Sequence, residues 1–147
     1  MRTRKSSGCV VFRITDSNKI EILLVTSSNG KEWVFPKGGV EINLTERASA
    51  AKEVYEEAGV LGDVGQKLGS YRYVKNGQMQ EVTMYAMQYV KDADDWPEME
   101  KRERKWFKAE KAMDKVDQYL APYIYDVLDA IEANFEHEAR KARELMD

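Results

Sequence analysis

The sequence predicts an α/β fold, on three observations. Runs rich in β-forming residues open the chain, from Ser6 to Ile14 and from Ile20 to Thr26. A helix carrying Glu53, Glu56 and Glu57 then stops at Gly59, ahead of a hairpin signal at Asn76-Gly77. A long amphipathic segment closes the chain, from Pro122 to Met146.

Taken in order, the first run ends in the turn-like cluster Thr15, Asp16, Ser17 and Asn18. Ile20 to Thr26 is continuously apolar apart from Glu21, the pattern of a strand buried on both faces. Asn29-Gly30 turns the chain into Lys31 to Phe35, the third strand before the helix. Pro36 stops it, and Lys37, Gly38 and Gly39 form a loop whose backbone is free of side-chain bulk. Asn43, with Glu46 three residues on, is the expected N-cap of the helix. After Gly59, Val64 to Leu68 reads as a brief strand, and Ser70 to Lys75 pairs with Gln80 to Val90 across Asn76-Gly77. The second arm alternates without a polar face, which marks it as central. Asp92 to Glu100, with Trp96-Pro97, is an acidic loop expected at the rim of the site. A short strand around Trp106-Phe107 leads to a helix from about Glu110 to Val116. In the last helix Ile124, Val127, Leu128, Ile131 and Phe135 form the apolar stripe, and His137 lies in its charged part as a surface residue, which leaves the usual general base out of consideration.

The chemistry gathers on the first helix. At about 3.6 residues per turn, Glu53, Glu56 and Glu57 project from one face, with Leu44, Ala48, Ala51, Tyr55 and Ala58 roughly opposite. Like charges at those spacings repel by about 0.2–0.5 kcal/mol per pair, and Lys52 alone flanks them with the opposite sign. Two readings stand: a solvated acidic face, or oxygen ligands for a hard divalent cation that turns repulsion into coordination. Glu98, Glu100 and Glu103 are either part of a solvated loop or further carboxylates for the same cluster. The cations from Lys101 to Lys111 either snorkel around a buried aromatic pair or grip phosphates beside an acidic site.

Composition sets the outer bounds. A chain of 147 residues suits one domain, residues 1–147. A formal net charge of -3 carries no footprint of a general nucleic-acid or membrane-surface role. No apolar stretch approaches the roughly 18 residues that span a bilayer. The single cysteine, Cys9, reads as a small core residue, and with no disulfide partner it fits a reducing compartment, by default the cytoplasm.

From Gly38 to Val60 the chain resembles the Nudix box, which begins with glycine and ends in Arg-Glu-aliphatic-x-Glu-Glu-x-Gly-aliphatic. Gly38, Glu53, Val54, Glu56, Glu57, Gly59 and Val60 hold pattern positions. Leu44 stands where the family usually has glutamate and Lys52 where it has arginine, two side chains that in the family chiefly brace loop and helix. Within the superfamily, Arg4 to Lys115 is similar to the diphosphoinositol polyphosphate phosphohydrolases and diadenosine polyphosphate hydrolases, through Leu23 to Ser28, Trp33 to Gly39, the box, and the Arg-x-Trp-Phe-Lys-x-Glu-x-Ala match at Arg104 to Ala112.

The resemblance implies an α/β/α sandwich around a mixed β-sheet, with a long C-terminal helix. It implies a hydrolase that cleaves a phosphoanhydride linkage in a dinucleoside polyphosphate or diphosphoinositol polyphosphate with Mg²⁺, Mn²⁺ being an admissible substitute. Glu53 and Glu57 are the expected direct metal ligands with the Gly38 carbonyl. Glu56 holds a second ion or takes a proton from the attacking water. Arg4, Lys5, Ser27, Lys37 and Lys108 are the implied phosphate contacts; Ser6 and Asn29 replace basic residues, and that thinner cationic ring leans toward a dinucleoside polyphosphate. The departures at Leu44 and Lys52 motivate an alternative, a Nudix-fold module that binds polyphosphates with little or no turnover. A small-molecule polyphosphate is the expected partner, and the last helix also offers a face to a second copy of the chain.

Overall fold

Seven strands and three helices occupy Arg2 to Met146, the residues that the computed structural model describes. In chain order they are β1 (Thr3–Ile14), β2 (Ile20–Thr26), β3 (Trp33–Val34), β4 (Lys37–Gly39), α1 (Glu46–Ala58), β5 (Val60–Lys75), β6 (Gln78–Asp92), β7 (Arg104–Lys108), α2 (Ala109–Lys115) and α3 (Ala121–Met146). The main sheet runs β3-β2-β1-β6-β5, with β4 added to β1 and β7 to β2. Only the β1–β6 pairing is parallel, from Thr3↔Met79 to Phe12↔Gln88, so the sheet is mixed.

Side chains alternate across a strand, and two cores follow from that period. Cys9, Val11, Leu23, Val25, Tyr85 and Met87 point to one face, where Ala50, Val54 and Ala58 of α1 cover them. Val10, Ile22, Leu24, Met84 and Phe107 point to the other, beneath Ala112 of α2 and Ile124, Val127 and Ile131 of α3. The result is the expected α/β/α sandwich. No helix among the described residues is long and apolar enough to cross a membrane.

Several boundaries differ from the sequence expectation. The N-cap of α1 is Thr45, whose Oγ1 accepts from the Ala48 N–H at 3.0 Å, and Asn43 lies outside the helix in an exposed turn. A hydroxyl placed one residue before the first helical turn satisfies a free amide directly, which Asn43 is too far upstream to do. The loop Lys37 to Gly39 pairs with β1 as a short strand, Ser7 lying opposite Gly38. Val64 to Leu68 is no separate strand: β5 runs unbroken to Lys75, absorbing the chain's irregularity as register shifts between Leu61 and Gly69. The turn at Asn76 and Gly77 has positive φ at both residues, 52° and 74°, as a two-residue hairpin of this twist requires.

The face assignments of two helices also change. In α1 the buried residues are Ser49, Ala50, Val54, Glu57 and Ala58, while Ala48 is exposed, so the acidic front is rolled partly onto the sheet rather than opposite it. In α3 the stripe is buried only in its first part: Ile131 is buried, but Phe135 is 55% exposed, lining an open cleft above Phe12, Ile14 and Gln88.

Cys9 is fully buried, and burial pushes its thiol up to about 12. A thiolate-selective reagent at pH 8 is therefore expected to leave the folded protein unmodified and to titrate one thiol after denaturation. Prompt reaction of the native protein would place Cys9 outside the core.

Candidate active site

The box helix, β4 and the loop before β7 meet at one end of the sheet. Three contacts orient α1 there. Gly59, with φ of 64°, ends the helix in a left-handed turn and returns its N–H to the Tyr55 carbonyl. The Trp96 ring lies directly against Gly59, where a Cβ would collide with it, and Arg104 stacks 4.6 Å above that ring while donating to the Ala58 carbonyl. Arg47 donates to the carbonyls of Val64 and Gly65 and ties the start of α1 to β5. Arg104 is thus a strut of the helix end, its charge met by Asp92.

With α1 so fixed, Glu53 and Glu57 stand against β4. The Glu53 carboxylate lies on the Gly38 Cα so closely that any side chain there would displace it. Glu57 is 5% exposed and accepts from the Lys37 backbone N–H at 3.4 Å. Burial raises the proton affinity of both: Glu57 to about 8, with Arg102 partly offsetting the rise, and Glu53 upward with help from the Glu56 charge. Ser7, opposite Gly38 in the ladder, shares its face, and its buried hydroxyl has no hydrogen-bond partner among the described residues.

This donor set fits a hard divalent cation. Two half-buried or buried carboxylates, an orphan hydroxyl and glycine backbone are all oxygen donors, and burying two acids side by side is costly unless protons or a cation offset their charge. Among the described residues no three acidic, histidine or cysteine side chains form a ready-made metal cluster, so carboxylates and backbone would have to act together.

Glu56 is partly exposed and faces Lys52 at 3.5 Å. Lys52 also binds Glu41 on the loop after β4. That exposed pair links loop and helix, its acid three residues before Leu44, the position where the family pattern has glutamate. Leu44 instead donates its N–H to the Glu41 carbonyl within the loop.

The candidate phosphate contacts divide. Arg4 lies over Gly39, beside the box loop. Lys37 reaches across the sheet end, its Nζ 3.0 Å from the Tyr73 hydroxyl. Lys5 is exposed, and its carbonyl accepts from Val40. Ser27 is engaged in its own turn: its hydroxyl donates to Asn29 Oδ1 at 2.7 Å and accepts from the Glu32 N–H. Lys108 is placed away from the carboxylates. β7 runs antiparallel to β2, so Arg104 pairs with Val25 near the site and Lys108 with Glu21 at the opposite end.

Two groups that sequence reasoning did not assign are here. Arg102 donates to Glu98 Oε1 at 3.0 Å and to the Thr26 carbonyl at 2.9 Å, and lies 3.9 Å from Glu57 Oε2. Glu100 and Glu103 are exposed, and only Glu98 of the loop carboxylates bears on the pair. The second is a tyrosine cluster beside Lys37: Tyr71 stacks on Tyr73 and meets Tyr119 and Tyr123 edge-on or tilted. Tyr71 and Tyr73 alternate on one face of β5, a signal already present in the expected strand arm Ser70 to Lys75. A separate cleft of ≈ 540 Å³ under α3, lined by Phe12, Ile14, Gln88, Ile131 and Phe135, lies on the sheet face away from α1.

A family model described as the NUDIX domain matches residues 3–129. The chain is 35% identical over 143 residues to Nudix hydrolase 16, mitochondrial, of Arabidopsis thaliana, covering 86% of this chain and 78% of that protein. It is 34% identical over 131 residues to diphosphoinositol polyphosphate phosphohydrolase 2 of Rattus norvegicus, covering 87% and 70%. Its fold is like that of a C. elegans Ap4A hydrolase binary complex, with TM-score 0.76 at 22% identity over 88% of this chain and 98% of that one.

Proposed function

The chain belongs to the NUDIX domain family and is a Nudix pyrophosphohydrolase; from that premise we propose that it cleaves a phosphoanhydride linkage in a dinucleoside polyphosphate. The observation that carries the reading is the seating of Glu53 and Glu57 against Gly38 and the Lys37 backbone, while the Lys37 side chain reaches Tyr73 of the tyrosine cluster on the other face of the sheet.

Glu53 and Glu57, with the Gly38 carbonyl, would hold Mg²⁺ or Mn²⁺. Such an ion withdraws charge from the phosphate oxygens and lowers the pKa of a bound water. The chain's own side chains do the rest. Lys37 and Arg4 supply positive charge to phosphates lying along β4, and Lys5 adds a solvated cation at the rim. Glu56, partly exposed and paired with Lys52, is proposed to accept the proton of the attacking water or to hold a second ion. Tyr73, oriented by Lys37 and backed by Tyr71, offers a face on which a nucleobase stacks. Such stacking contributes about 1–3 kcal/mol per base. Fixed donors and positioned reactants are the main catalytic means for phosphoryl transfer.

A second reading, a diphosphoinositol polyphosphate as substrate, is favoured by the rat relative's name and by the Arg4, Lys5 and Lys37 cations. The alternative of an inactive binding module, which the departures at Leu44 and Lys52 motivate, is disfavoured by the Glu41–Lys52 pair that links loop and helix. Ser27 and Lys108 are not assigned phosphate contacts. Residues 1–147 are read as one Nudix domain. The cytoplasm is the proposed compartment, although the Arabidopsis relative carries the label mitochondrial. The exposed Phe135, Leu145 and Met146 of α3 are the surface on which a homodimer would form.

A panel of dinucleoside polyphosphates and inositol pyrophosphates, incubated with the protein and Mg²⁺, tests the substrate. Dinucleoside polyphosphates are expected to turn over fastest, and Tyr73→Ala to raise their KM about tenfold through lost stacking. Tyr73→Phe, which keeps the ring and drops the hydrogen bond to Lys37, should change KM much less. Faster cleavage of an inositol pyrophosphate, with Tyr73→Ala neutral, would reverse the assignment.

A further inference from the structure

Arg102 is held more firmly than a surface arginine. Its side chain is 15% exposed, and its guanidinium is tied at two corners, to Glu98 and to the Thr26 carbonyl. The backbone just after it is fixed as well, Thr26 N–H donating to the Glu103 carbonyl and Glu103 N–H to the Thr26 hydroxyl. Its third corner faces Glu57 Oε2 at 3.9 Å, too long for a full hydrogen bond but close enough for strong charge interaction. The groups around it are Glu57 of α1, Glu98 of its own loop and the end of β2, and Lys52 is engaged elsewhere with Glu41 and Glu56. Arg102 is therefore a permanent positive charge directed at a carboxylate proposed to bind a cation.

We infer that Arg102 is an internal rival of the divalent ion: it offsets the buried charge of Glu57 and thereby holds down the ion affinity of the Glu53–Glu57 pair. The inference rests on reading those two glutamates as cation ligands. A positive charge fixed beside Glu57 repels an incoming divalent ion if it stays and costs broken contacts if it moves. Either way, removing the charge strengthens ion binding. A divalent ion gains from that loss twice over and a proton once, so the sign survives competition from protons. The arrangement trades ion affinity for a fold that tolerates its own acidic cluster.

The test is direct Mn²⁺ binding, followed by the EPR signal of free Mn²⁺, to wild type, Arg102→Gln and Arg102→Lys. Gln can keep the contact that the Arg102 Nε makes to Glu98 but drops the charge and the reach to the Thr26 carbonyl, and Lys keeps the charge without the fork. Arg102→Gln is expected to bind Mn²⁺ about tenfold more tightly, with Arg102→Lys within about twofold of wild type. In EDTA Arg102→Gln should melt below wild type, and Mn²⁺ should raise its melting temperature by more. If Arg102→Gln is unfolded in EDTA and Mn²⁺ fails to refold it, the inference is overturned and Arg102 is a structural strut; if Mn²⁺ refolds it, slower Mn²⁺ release from the refolded variant than from wild type supports the inference, and equal or faster release overturns it. Equal or weaker Mn²⁺ binding by folded Arg102→Gln, or a Lys variant that behaves like Gln, overturns it too while leaving the cation site standing. Absence of Mn²⁺ binding by wild type would instead remove the cation reading, and the inference with it.

Discussion

Glu57→Gln is expected to lower hydrolysis by about 10³-fold or more while leaving the protein folded. The two halves of that result have one cause. Glu57 is buried against the Lys37 backbone, so its charge is useful there only if a cation or a proton meets it. Glutamine fills the same space without the charge. Because burial lifts the carboxyl from 4.5 to about 8, the wild type loses stability as pH rises through that interval, and the amide removes the loss. In cation-free buffer near pH 7 the variant should melt at or above the wild-type temperature. Thermal denaturation with steady-state rates and Mn²⁺ binding on the same preparation would check this. Unchanged hydrolysis, or a large fall in melting temperature, would contradict it.

Gly8→Ala should damage the site without touching it. Gly8 lies opposite Lys37 in the β1–β4 ladder, and a methyl group at Gly8 would lie 2.6 Å from Lys37 Cβ and 2.9 Å from its Cα, besides meeting the Pro36 carbonyl. Most of those neighbours are backbone, so the strand must move. The expected cost is about 1–3 kcal/mol, read as a melting temperature lower by about 5 °C or more. Since β4 carries Gly38, activity should fall further than stability, by about tenfold or more at temperatures where the variant is fully folded. A variant as stable and as active as wild type would mean that β4 does not sit on β1 as described.

Local chemistry made much of this legible from residues alone. The bounds of β2 are legible because its apolar run is closed by turn residues on both sides, and the hairpin because Asn76-Gly77 tolerates two positive φ values. The spacing of Glu53, Glu56 and Glu57 puts them on one helix face whatever the surroundings. What escaped depends on tertiary partners. Gly38 and Gly39 carry no side-chain period, so nothing local marks them as a strand until β1 is beside them. Gly65 and Gly69 look like strand breaks, yet the long ladder with β6 carries β5 past them. The resemblance implies Lys108 at the site, whereas the antiparallel register of β7 on β2 sets it opposite Glu21, at the other end of β7 from Arg104. Arg102 was one cation in a basic run, singled out only once Thr26 and Glu98 are seen to hold it.

The lone parallel pairing has a consequence for how the chain reaches its fold. β1 finds β2 and β4 within a short span, but its other edge waits for Met79 to Gln88, far down the sequence. On a ribosome, then, an apolar edge containing Cys9, Val10 and Val11 emerges early and stays unmatched until the distant strand is synthesised. Closing so wide a loop makes that docking an entropically slow step, and the nascent chain is most prone to clump with its neighbours in the interval before it.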